Sequence, residues 1–209
     1  MLIITIKQGK EKSLLERAPW IYASAVEKVD GKPGERHKSG ATALVQSSSG
    51  QFLARAAHSP KSQIRARVWS FDANEAIDHG FIKRRTKAAI AKRAGKKTPG
   101  QLIELIKGEE DGLSGLLVDW FVGPTSYLVC QFQSAGVDAW KVPIVQTLMA
   151  ETGCKNVYER ADELIRKGEG LPVLSGPLAG DEPPEDIQMT ENGARYAMNL
   201  RTGKKIKFK

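Results

Sequence analysis

The first seventy-odd residues are cut into short apolar runs by turn-forming residues, and runs of that length favour strands over helices. Leu2–Ile6, Trp20–Val29, Ala41–Gln46, Phe52–Ala57 and Ile64–Phe71 are the strand candidates, with Asp30-Gly31 and Ser47-Ser48-Ser49-Gly50 among the breaks. Closely spaced strands with Gly, Ser and Pro between them predict a small β-barrel. In the last of these strands, alternation puts Ile64, Ala66 and Val68 on one face and Arg65, Arg67 and Trp69 on the other. One face packs, and the other presents two guanidiniums beside an indole.

The pattern then changes period. Asp78 is a plausible N-cap and Gly95 a plausible stop for a helix whose Phe81, Ile82, Ala88, Ala89 and Ile90 are flanked by six Lys and Arg side chains. The spacing fits a basic helix facing RNA as well as a linker helix with a wet face. From Gln101 onward, Leu102–Ile106, Leu116–Phe121 and Tyr127–Phe132 read as strands. Val137, Trp140, Ile144, Val145 and Leu148 recur at helical spacing, with Pro143 acceptable only in the first turn and Gly153 closing the helix. Val157–Glu159 and Leu171–Leu174 are short strand candidates, Gly176–Pro184 a loop, and Tyr196–Leu200 a last strand.

This gives an α+β chain. Residues 1–75 form a barrel, 76–100 a connecting basic helix, 101–200 a β-β-α-β-β module, and 201–209 a basic tail.

Charge is distributed unevenly along that plan. The net charge of +8 resolves into +5 for residues 1–75, +7 for 76–107, −9 for 108–200 and +5 for 201–209. A basic first half attracts phosphate backbones through counterion release, and an acidic second half repels them. A solvated lysine-rich face is the competing account of the same residues.

Cys130 and Cys154 have no Cys-x-x-Cys or Cys/His spacing, and His37, His58 and His79 do not cluster, so metal and disulfide chemistry have no footing. Glu109, Glu110 and Asp111 sit in a Gly-flanked turn where solvated acids are expected. The longest apolar stretches are broken well before the roughly 20 residues of a membrane span. The first residues alternate like a strand and lack a secretion signal. The expected location is the cytoplasm.

Several segments are similar to one family. Lys10 to Trp20 resembles the opening of a PUA domain, and Ala54 to Asp72 is the longest match. Gly108 to Asp119 and Val157 to Leu171 resemble the central β-β-α-β-β domain that follows it. In this order they identify the large-subunit (23S) rRNA cytosine-5 methyltransferase I family, with the resemblance running to about Gly203.

The resemblance implies an enzyme that binds rRNA through its PUA domain and moves a methyl group from S-adenosylmethionine (SAM) to cytosine C5. Its chemistry uses a Cys thiolate and a Rossmann-like cofactor domain. No Gly-rich loop after a strand, no Asp-Pro-Pro and no Ser-Cys motif appears here, so no catalytic, cofactor-binding or metal-binding residue is carried over. The expectation is an RNA-binding portion, truncated before the Rossmann-like domain, binding no cofactor of its own and inactive alone.

For RNA contact Arg65 and Arg67 come first, because a guanidinium grips phosphate bidentately and stacks on bases. Lys10, Lys12, Arg17, Lys61 and Gln63 in neighbouring loops follow. Trp20 and Trp69 could stack bases, but aromatic residues beside strands are more often core. The alternative function is a stand-alone interaction protein, whose acidic second module docks a separately encoded catalytic domain or a ribosomal partner, or self-associates.

Overall fold

The computed structural model describes residues 1–208. Six strands make the first sheet: β1 (Leu2–Ile6), β2 (Trp20–Tyr22), β3 (Val26–Asp30), β4 (Thr42–Gln46), β5 (Phe52–His58) and β6 (Ile64–Ser70), in the order β2-β6-β5-β4-β1-β3. Short helices α1 (Lys12–Leu15) and α2 (Pro33–Arg36) fill two of the connections. The run Trp20–Val29 is not one strand. A 3-10 turn at Ala23–Ala25 divides it, so that β2 pairs with β6 while β3 pairs with β1. The sheet's two edges are therefore consecutive in the chain, which curls it around Ile4, Ile6, Ile21, Val45, Ala56 and Ala66, none more than 2% exposed. Burial of each large side chain in this core contributes about 1.5–3 kcal/mol.

Helix α3 (His79–Ala91) begins as expected, with the Asp78 carboxylate accepting from Phe81 N at 2.8 Å. It stops short of Gly95. Lys92 and Arg93 turn both their side chains onto Asp111 instead of continuing the helix.

The second sheet has the order β11-β10-β9-β8-β7, built from β7 (Gln101–Lys107), β8 (Leu116–Val122), β9 (Tyr127–Phe132), β10 (Val157–Glu159) and β11 (Gly176–Ala179). Between β9 and β10 run α4 (Ala135–Ala139) and α5 (Lys141–Thr152). Pro143 falls in the first turn of α5, where no backbone donor is needed, and Gly153 at φ 71° closes it. Short helix α6 (Glu163–Gly168) precedes β11, which lies where a loop was expected, and Leu171–Leu174 forms no strand. Helices α3 and α5 cover one face of this sheet around Ile82, Ile90, Leu105, Leu116, Ile144 and Leu148.

The other face packs Phe121, Tyr127, Val129 and Tyr158 against a three-stranded sheet, β12 (Ile187–Glu191), β13 (Ala194–Met198) and β14 (Lys205–Lys207). Part of the expected basic tail is thus strand β14, paired with Tyr196–Met198; Lys209 lies outside the described residues.

The expected fold class needs a correction here. Strands β9 and β10 are parallel and joined through helices, which is a β-α-β unit, the element from which Rossmann-like sheets are built. The sheet is mixed, with helices on one face, and a chain lacking any Rossmann-like layer does not describe it. The sequence hid this because strand direction is set by the crossover, and apolar periodicity carries no direction.

Candidate nucleic-acid interface

Alternation along β2 buries Ile21 and leaves Trp20 37% and Tyr22 51% exposed, their rings edge to face at 6.4 Å. Lys10 and Ser13 border the same shallow hollow as these two rings. Lys12 and Arg17 are exposed on α1 and the turn after it. Arg17 adopts a left-handed backbone (φ 64°), which aims its guanidinium over the Phe71 ring at 5.2 Å.

On the adjoining β5–β6 turn, Lys61 and Gln63 are exposed, and the Gln63 carbonyl accepts from Ala23 N at 2.8 Å, tying the turn to the end of β2. Arg65 is half-buried, its Nε donating to the Ser62 carbonyl at 3.1 Å. Lys10 therefore borders the two exposed aromatic rings, and the other cations lie on neighbouring turns of the barrel. Tyr22 was missed in the sequence, although its alternation with Ile21 was visible once β2 was known to be an edge.

Arg67 has a different setting. It shares a face with Arg65, but that face is covered at β6's far end by the second sheet's loops. Its guanidinium lies 3.0 Å from Glu169 and 3.3 Å from Glu109, donates to Ser114 Oγ at 3.1 Å and stacks over Trp20 at 5.4 Å. Glu109 also accepts from Trp20 Nε1 at 3.0 Å and Ser114 Oγ at 2.6 Å. Burial pushes the Glu109 carboxyl upward, but these donors and the Arg67 charge outweigh it and hold its pKa below the ordinary value. Trp69 is 4% exposed and packs edge-on against Phe81 at 6.1 Å, so it is core.

Asp111, expected in solvent, is structural, whereas Glu110 is exposed as expected. The Asp111 side chain is fully buried and receives Arg93 at 2.7 Å, Lys92 at 3.0 Å and the Lys107 backbone N–H at 2.7 Å. Arg166, 3% exposed, donates to the carbonyls of Phe132 and Pro172 at 2.7 Å and to Asp138 at 2.8 Å. Cys130 is wholly enclosed and burial pushes its thiol far up; Cys154, 5% exposed, is raised by the same cause. Among the described residues no group of three or more His, Cys, Asp or Glu is placed to hold a metal ion. No helix there is long and apolar enough to cross a membrane.

Beside the barrel face opens a crevice of about 630 Å³, bordered by Arg17, Phe71, Asp72, Arg85 and Glu110. It runs along the seam between the barrel and the turn that follows β7.

Residues 4–71 match the PUA-like domain family. The chain is 40% identical over 207 residues to ribosomal RNA large subunit methyltransferase I of Aliivibrio fischeri, covering 98% of this chain and 50% of that protein. The same-named protein of Pseudoalteromonas translucida is also 40% identical, and that of Klebsiella pneumoniae 39%, with the same coverage. The chain spans about half the length of these curated relatives.

Among solved structures, a chain described as a SAM-dependent methyltransferase from Streptococcus mutans superposes with a TM-score of 0.74 at 16% identity, over 97% of this chain and 50% of that one. A methyltransferase complexed with SAH gives 0.75 at 16% identity, over 97% and 49%. That likeness is one of fold, and with the β9–β10 unit it overturns the expectation of a fold without Rossmann-like character. The chain carries a PUA-like domain and is similar, along nearly its whole length, to half of the large-subunit rRNA methyltransferase I proteins.

Proposed function

We propose that this chain supplies RNA recognition to a SAM-dependent methyltransferase acting on cytosine C5 of large-subunit rRNA. The observation that carries the reading is the exposed Trp20–Tyr22 pair bordered by Lys10, within the segment that matches a PUA-like domain. Aromatic rings stack unpaired bases while flanking cations follow the phosphates. Arg65, Lys61 and Gln63 extend the contact along the β5–β6 turn. Arg67 is their positioning residue, since its charge is already met by Glu109 and Glu169. In this reading residues 1–75 act as the RNA module, 76–100 as the connector and 101–200 as the platform against which the barrel is held.

SAM is the methyl donor this reading implies, and the described residues do not fit it. Ligands of parallel sheets bind beyond the carboxyl ends of the strands. Beyond β9 and β10 that space is taken by Arg166 on the Phe132 carbonyl and by Lys141 on Glu159 at 2.8 Å. Neither buried thiol is available as a thiolate. No step of methyl transfer is assigned to these residues.

The test is binding of large-subunit rRNA fragments at low and moderate salt, comparing the wild type with Lys10→Ala/Lys12→Ala/Arg65→Ala. Salt-dependent binding that the variant weakens supports the reading; equal binding by both, or none at low salt, removes it.

A second reading, docking of a basic protein by the acidic unit, has one observation in its favour. Leu164 is 84% and Leu174 72% exposed around α6, beside Asp162 and Glu163. Loss of a co-purifying basic partner on Leu164→Ser/Leu174→Ser is its signature.

A further inference from the structure

Trp20 lies on β2, an outermost strand of the barrel sheet, where its ring is partly exposed. An edge position leaves a side chain without a strand neighbour on one side, so the barrel by itself restrains the ring only in part. Tyr22 meets the ring edge to face, and Arg67 covers one of its faces. Its hydrogen bonds come from outside the barrel. Trp20 Nε1 donates to Glu109 Oε1 at 3.0 Å across 89 residues of chain, with Ser114 Oγ a second, longer acceptor at 3.3 Å.

The acceptor is itself held rigidly. Glu109 belongs to the 3-10 turn Gly108–Asp111, bounded by two left-handed glycines, Gly108 (φ 58°) and Gly112 (φ 67°). The turn is pinned through buried Asp111 by Arg93, Lys92 and the Lys107 backbone N–H. On the same Oε1 atom Glu109 accepts from Ser114 Oγ and faces Arg67, and these donors outweigh burial and keep the carboxyl ionised near neutrality. Hydrogen bonds to an ionised acceptor are roughly twice as strong as those between neutral groups. Holding the two units together does not require the indole, since Arg67 already spans the seam to Glu169 and Glu109.

We infer that Glu109 is a positioning residue for RNA recognition: from the second unit it fixes the plane of the Trp20 indole on the barrel, so that both units build the stacking surface. The inference rests on the RNA reading and deepens it, because the barrel then reads unpaired bases only when seated on the Gly108–Asp111 turn. With Arg67 on one face of the ring, a base has the other to stack on. An indole already ordered in the free protein escapes the ordering cost that a loose side chain meets on binding, a difference of about two- to tenfold in affinity.

The test titrates the full chain with large-subunit rRNA fragments at fixed salt, comparing wild type, Glu109→Leu and Glu109→Gln. Both changes remove a negative charge, which by itself would favour RNA. Only Gln keeps an oxygen acceptor for the indole N–H. The expected result is affinity lowered about two- to tenfold in Glu109→Leu and restored in Glu109→Gln. The Trp20 indole N–H resonance, identified by its loss in Trp20→Phe, moves in Glu109→Leu while those of Trp69, Trp120 and Trp140 stay in place. Trp20→Phe keeps a ring but no donor, so adding Glu109→Leu to it lowers affinity no further. Wild-type affinity in Glu109→Leu, an unmoved Trp20 resonance, or the same loss from Glu109→Leu in the Trp20→Phe background would each overturn the inference and leave the RNA reading standing. Absence of binding by the wild type removes both.

Discussion

Arg67 on β6 and Glu169, which follows α6, meet at 3.0 Å across 102 residues of chain, with the Glu169 side chain 4% exposed. The pair links the barrel to the second unit, and each partner is too enclosed to find water if the other is removed. Arg67→Ala is expected to destabilise by about 3–5 kcal/mol, whereas Arg67→Ala/Glu169→Ala costs less than the two single changes together. Urea unfolding of the four proteins in a double-mutant cycle checks this; additive losses would show that the two side chains are not coupled.

The sequence was informative where packing follows simple alternation. Ala66 and Val68 turn inward, Tyr127–Phe132 is a strand, and Gly153 ends α5, because each of these follows from local geometry. It was silent on what covers a face. Arg65 and Arg67 are equivalent by alternation, and only the placement of Glu169 and Glu109, far away in the chain, separates a half-exposed cation from a structural one. Asp111 misled for the same reason: a Gly-flanked acidic turn is ordinarily wet, and Glu110 is, but Arg93 just beyond α3 covers Asp111. Nor could the pattern show that β9 and β10 run parallel.

Asp111 gives the second prediction. Burial pushes its carboxyl up, but the hydrogen bonds from Arg93, the Lys107 backbone and Lys92 prevail and hold its pKa below the ordinary 3.8. A carboxylate with a depressed folded-state pKa adds stability above its unfolded value and loses it as pH falls through the folded one. Asp111→Asn is therefore expected to cost about 3 kcal/mol near neutrality, with the gap to wild type closing below pH of about 4. Thermal unfolding across that range checks it.

Tyr22 separates RNA binding from folding. Half of the ring is in solvent, so Tyr22→Ala is expected to leave the melting temperature nearly unchanged. If bases stack there, affinity for single-stranded rRNA segments falls by about 1–3 kcal/mol without a change in the salt slope. Lys12→Ala lowers that slope by about 1 instead. Filter binding at several salt concentrations distinguishes the two, and a Tyr22 variant with wild-type affinity would remove stacking on β2 from the reading.

His58 sets the acid limit of the barrel. It is 2% exposed on β5, and burial, then the charges of Arg65 and His37, lower its pKa from 6.5 to about 4. The folded state keeps the imidazole neutral, whereas the unfolded chain takes up a proton once pH drops below 6.5, so the stability tied to this shift is present above 6.5 and lost as pH falls to about 4. A shift of that size corresponds to roughly 3 kcal/mol. His58→Gln cannot titrate, so although it starts less stable, its stability declines less steeply over the same interval. Parallel slopes for the two proteins in urea unfolding between these pH values would mean that His58 is protonated in the folded barrel, and that a group such as the adjoining Ser59, whose hydroxyl has no partner among the described residues, stabilises its charge.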